Sequence, residues 1–91
     1  MPKRVDKNQR DIVAALRDLG ASVQCLHVIG RGCPDLLIGF RGVNLLAEVK
    51  DGAGTLTDDE KNWHASWRGQ IVIVRTVDDA LALLGVVTNV G

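Results

Sequence analysis

Three residues of this sequence have the types and spacing of a phosphate-handling site. Asp35 follows Pro34; after twelve further residues comes the run Glu48-Val49-Lys50. Mg²⁺ takes oxygen ligands in an octahedron and is commonly held by one or two carboxylates, with waters and a substrate phosphate completing the shell. Asp35 and Glu48 supply the carboxylates, and the carbonyl of Val49 a neutral oxygen. A cation held there polarises a phosphodiester and lowers the pKa of a coordinated water. The Lys50 ammonium can orient that water or offset charge on the pentacovalent phosphate. These parts suit phosphodiester hydrolysis, with Mg²⁺ or Mn²⁺ as cofactor.

The elements around the three residues decide whether they meet. Ile12, Val13, Leu16 and Leu19 recur at helical spacing between Asp6 and Leu19, and Gly20 ends the run. A first strand is expected over 22–28, followed by a loop at Gly30-Arg31-Gly32-Cys33-Pro34. Residues 36–40 form a second strand, Arg41-Gly42 a turn and residues 44–50 the returning arm of a hairpin. Glu48 and Lys50, two apart, then project from one sheet face, while Ala47 and Val49 pack under a helix on the other. Thr57-Asp58-Asp59-Glu60 has the pattern of a capping box and opens a second helix reaching about Trp67. Residues 70–75 form a β-branched strand, and Thr76-Val77-Asp78-Asp79, an acidic first turn, begins a short third helix, Ala80 to Leu84. Residues 86–91 are an edge strand or a loose tail. The expected fold class is α/β, with helices flanking a small mixed sheet in one domain spanning 1–91.

The segment Gly30-Arg31-Gly32-Cys33-Pro34-Asp35-Leu36-Leu37-Ile38-Gly39, then Ala47-Glu48-Val49-Lys50-Asp51 and Leu56-Thr57, resembles the VRR-NUC branch of the PD-(D/E)xK nucleases. The likeness runs from the first helix through Val74. It implies a restriction-endonuclease-like αβββαβ core and divalent-metal-dependent cleavage of DNA. For small stand-alone members it implies homodimers that cut branched DNA such as Holliday junctions. Flap or end processing, a less selective nuclease, and a non-catalytic DNA- or protein-binding module on the same fold are the alternatives. Related junction resolvases carry a metal-binding Glu followed by Arg on the first helix, and the matching positions here are Gln9 and Arg10. Gln9 shares the stripe of Ile12, Val13 and Leu16, whereas Asp11 points nearly opposite. A neutral amide at that place holds a cation more weakly than a carboxylate.

Other side chains are weaker candidates. Arg31, on the glycine-rich loop, is placed to contact DNA phosphate, and Gly30-Arg31-Gly32 lacks the third glycine of a dinucleotide fingerprint. Lys61, His64 and Arg68 would form a basic edge on the second helix, Lys61 contacting DNA, unless that face is simply solvated. Lys3, Arg4, Lys7 and Arg10 form a basic cluster that either touches phosphate or only solubilises. Trp63 and Trp67, four apart, share a helical face; core packing or a dimer interface is favoured for them over base stacking. His27, alone near a strand end, is expected to be structural.

Composition sets the outer bounds. The chain has 91 residues, 46% hydrophobic and 24% charged, with eleven basic residues balancing eleven acidic ones. That is a folded domain rather than a disordered one, and its zero net charge excludes a polybasic DNA coat. Cys25 and Cys33 are expected to be reduced thiols rather than a bridge. No apolar run is long enough to span a membrane, and no apolar signal core follows the basic N-terminus, so the expected location is cytoplasmic.

Overall fold

The structure, a computed structural model, describes residues 7–88. Its elements follow the order α1 (Lys7–Asp18), β1 (Ser22–Cys25), β2 (Leu36–Phe40), β3 (Val43–Val49), α2 (Asp58–Ser66), β4 (Ile71–Val74) and α3 (Val77–Thr88). Four strands make one mixed sheet in the order β1-β2-β3-β4. The first three run antiparallel to their neighbours, and β4 lies parallel to β3 after the α2 crossover. The fold is α/β, as the alternation of patterns predicts.

Strand alternation divides the side chains into two layers. Leu36, Ile38, Leu45, Ala47 and Val74 point to one face and join Ile12, Val13 and Leu16 of α1 and Ala80 and Leu84 of α3 in the apolar core. α1 packs on α3 and β1, and α3 on β4. α2 covers the other face and has no buried residue of its own. Its N-terminus is built by the capping box: the Glu60 N–H donates to Thr57 Oγ1, and the Thr57 N–H donates to Glu60 Oε1. Arg41 and Gly42 both adopt positive φ, the geometry that a two-residue hairpin requires to match strand twist. They set Phe40 opposite Val43.

Several boundaries differ from expectation. β1 stops at Cys25 rather than residue 28, because the Leu26 N–H bonds to the Asp35 carbonyl and the chain then turns, Ile29 N–H onto Leu26 O. Pro34, next in line on the partner strand, has no N–H to extend the ladder. α3 starts where its acidic first turn predicts but runs past Leu84, continuing through Gly85 to Thr88, so residues 86–88 are neither strand nor tail. One glycine costs a helix only about 1 kcal/mol. Trp63 and Trp67 lie outside the apolar core, which corrects the core-packing expectation for them. Lys3 and Arg4, like residues 89–91, fall outside the described residues. Among the described residues, no helix is long and apolar enough to cross a membrane.

Candidate active site

Asp35 and Glu48 are brought together by hairpin register. Leu36 pairs with Ala47, so one residue further out Asp35 faces Glu48, both on the α2 side of the sheet. The Asp35 carboxylate does not stay in solvent: its Oδ2 accepts the Val49 N–H at 2.8 Å. It takes the acceptor position that a strand carbonyl would hold in a regular ladder. The Val49 carbonyl leaves β3 on the same side as its N–H, towards Asp35, and Pro34 offers no N–H to claim it. Two carboxyl groups and a backbone carbonyl thus converge where β2 begins and β3 ends.

Glu48 is the one buried charged side chain among the described residues, 1% exposed. Burial, then the hydrogen bond and charge of Asp35, then the charge of Glu60 push its carboxyl up to about 9, against a smaller opposing pull from Lys50. The same cluster reaches the neighbouring loop, where burial first and then Glu48 and Asp35 raise the Cys33 thiol. Two carboxyls crowded away from water, one of them retaining its proton, form a donor set that a divalent cation would relieve. Among the described residues, no three His, Cys, Asp or Glu side chains form a metal-holding group. Two carboxylates and a carbonyl are nevertheless within what Mg²⁺ uses when waters and phosphate supply the rest.

Lys50 lies on the same face, but its ammonium is engaged. Nζ donates to Glu60 Oε1 at 2.6 Å, and both side chains are mostly buried. Burial would raise the Glu60 carboxyl; the hydrogen bonds from Lys50 and the Thr57 N–H outweigh it and hold it below its ordinary value. Glu60 therefore closes the capping box and also anchors the lysine, a role the capping pattern alone did not reveal. His64 Nε2 lies 3.2 Å from Glu48 Oε1. It is turned inward, which corrects its place in a basic edge, while Lys61 and Arg68 stay exposed. Position i+4 from Glu60 on a helix was the available signal that both residues share a face.

The loop before Asp35 is fitted to α2. Gly30, Arg31 and Gly32 all have positive φ, and a Cβ on Gly32 would fall 2.3 Å from the Asp59 carbonyl oxygen. Arg31 is exposed on this loop, Lys61 on α2 and Arg10 on α1, so the three proposed DNA contacts come from separate elements. Gln9 is buried at 6% exposure among the core-facing residues of α1, and Asp11 is exposed and paired with Lys7. The helical-stripe argument placed both correctly. Gln9 lies in the layer opposite Glu48. It stands beside Asn8, whose amide reaches the Lys50 and Arg75 carbonyls, so its turn of α1 lies at the end of the sheet where Lys50 emerges. Arg75 in turn donates to the Gly52 and Gly54 carbonyls at 2.8 Å and ties down the loop after Lys50. His27 Nδ1 is buried without a hydrogen-bond partner. Both cysteines are free thiols, as expected. No protein-family model, curated protein or solved structure matches the chain.

Proposed function

We propose that this chain is a Mg²⁺- or Mn²⁺-dependent, structure-selective DNA endonuclease with a VRR-NUC-like PD-(D/E)xK core. The observation that carries this reading is the cross-strand pair: Asp35, bonded to the Val49 N–H, opposite the buried Glu48. Asp35, Glu48 and the Val49 carbonyl would hold the cation, which when bound polarises the scissile phosphate and lowers the pKa of a water. Lys50, on the same face, offsets negative charge as water adds to phosphorus. One P–O bond to a sugar oxygen then breaks, and the water's proton passes to the departing alkoxide. To act on phosphate, the Lys50 ammonium must exchange Glu60 for the substrate, a charge-for-charge exchange. Arg10, Arg31 and Lys61 would contact flanking phosphates.

The described residues span 39 × 29 × 23 Å and carry one such pair, whereas resolving a four-way junction takes two cuts. A homodimer acting on branched DNA is accordingly part of the proposal. A second reading, a non-catalytic binding module, draws on the pairing of Lys50 with Glu60 and of Glu48 with His64.

The test is incubation of the purified chain with labelled four-way junction and linear duplex across Mg²⁺ and Mn²⁺ concentrations. Metal-dependent cutting that favours the junction, by a species of twice the chain mass, is expected. Absence of cutting on every DNA at every metal concentration would remove the enzyme assignment.

A further inference from the structure

The sheet face that carries Asp35 and Glu48 has a second feature one row away. Leu37 and Leu46 are register partners and, by alternation, point to the same side as the two acids. Between them and the end of α2 lies a cavity of about 410 Å³, walled by Leu37, Leu46, Trp63 and Trp67, with Asn44 and Gln70 also in its lining. Cavities of roughly 300–1,000 Å³ hold small ligands through apolar walls and a few polar groups. Cys33 also lines this space and is close enough to Glu48 and Asp35 to feel their charge. Cys33 thus stands between the cavity and the two acids.

Trp67 is the open part of the wall. It is 46% exposed, yet its position is set: its ring stacks on Trp63 at 4.6 Å between centroids and 23° between planes. Gly69 sits against it so closely that a Cβ there would fall 2.9 Å from Trp67 Nε1. A held, half-exposed indole over an apolar slot suits a flat heterocycle, because base–aromatic stacking tolerates any base. Side-chain amides pair with base edges. Two strand residues separate the Leu37–Leu46 row from the Asp35–Glu48 row, about 7 Å, a span that one nucleotide bridges.

We propose that this cavity receives a single unstacked nucleobase next to the scissile phosphate, so that the substrate class is branched DNA in which a nucleotide beside the cut leaves the stack. The inference rests on the nuclease reading above and names the substrate of the same site. Trp67 supplies the stacking surface, and Asn44 and Gln70 meet the base edge.

Binding is measured without metal, in EDTA, to a duplex carrying one unpaired 2-aminopurine and to the same duplex with an abasic analogue there. Wild-type protein should quench the 2-aminopurine and prefer the base-bearing duplex about tenfold. Trp67→Ala should bring that ratio near one, and Trp67→Phe, which can still stack, should keep most of it. A wild-type ratio of one, or a ratio unchanged in Trp67→Ala, overturns the base pocket. A ratio of one together with a dimer that Trp67→Ala dissociates assigns the cavity to a second copy of the chain and overturns it too. Metal-dependent cutting with a ratio of one leaves the nuclease reading standing and removes only the base pocket; no cutting of any DNA removes both.

Discussion

Glu48→Gln is expected to raise stability near neutral pH and to abolish metal-dependent cleavage. The Glu48 carboxyl is raised from about 4.5 to about 9 in the fold, so the folded state binds its proton more tightly than the unfolded chain does. Its contribution to stability is complete below about pH 4.5 and is lost as pH rises towards 9. At pH 7 the wild type has lost on the order of 3 kcal/mol that an uncharged amide of the same shape retains. That corresponds to a melting midpoint roughly 10 °C higher for the variant. The advantage should vanish near pH 4.5 and grow to pH 9, as read from urea unfolding of both proteins at several pH values. Cleavage should fall about a thousandfold or more, since a cation's stabilisation of the transition state is worth several kcal/mol. A variant less stable than wild type at pH 8, or one that still cuts, would contradict this account of the carboxyl pair.

Gly32→Ala should be the most damaging loop substitution. Its positive φ of 83° disfavours a side chain, and the new Cβ would meet the Asp59 carbonyl oxygen at 2.3 Å. Backbone must move on one side or the other. A cost of about 2–4 kcal/mol is expected from strain and overlap combined, measured by chemical denaturation. The displaced partner is the first turn of α2, which holds Glu60 against Lys50 and leads to His64 against Glu48. Any cleavage should therefore fall beyond what the residual folded fraction explains. Gly30→Ala provides the comparison: its φ is also positive, but a Cβ there meets nothing within 4 Å, so only the strain remains.

The pattern of the chain made the central hairpin legible for a simple reason. A hairpin through the Arg41-Gly42 turn, with Ala47 and Val49 packed under a helix, fixes which face each residue of the two strands takes. That choice puts Asp35, Glu48 and Lys50 on the other side. The four-residue signature from Thr57 to Glu60 likewise marked the start of α2 within a residue. What the pattern left open was the rotation of α2. A helix with no buried side chain has no apolar stripe to orient it, so the partners of Glu48 and Lys50 were not readable. The Lys50–Glu60 ion pair, the His64–Glu48 contact and the close approach of Gly32 set that rotation instead. The length of α3 was misjudged because Gly85 looks like a stop in sequence but is tolerated inside a helix.

The most direct test of the paired carboxylates is titration calorimetry of Mn²⁺ and Mg²⁺ into the metal-free protein at pH 7, in two buffers of different ionisation enthalpy. Since Glu48 holds its proton in the metal-free fold, uptake of one cation should release about one proton. Affinity should rise by up to tenfold per pH unit towards pH 9, and Glu48→Gln should remove uptake and proton release together. A protein that takes up neither ion, or binds one with no proton release and equal strength after Glu48→Gln, would show that Asp35 and Glu48 do not form a metal site.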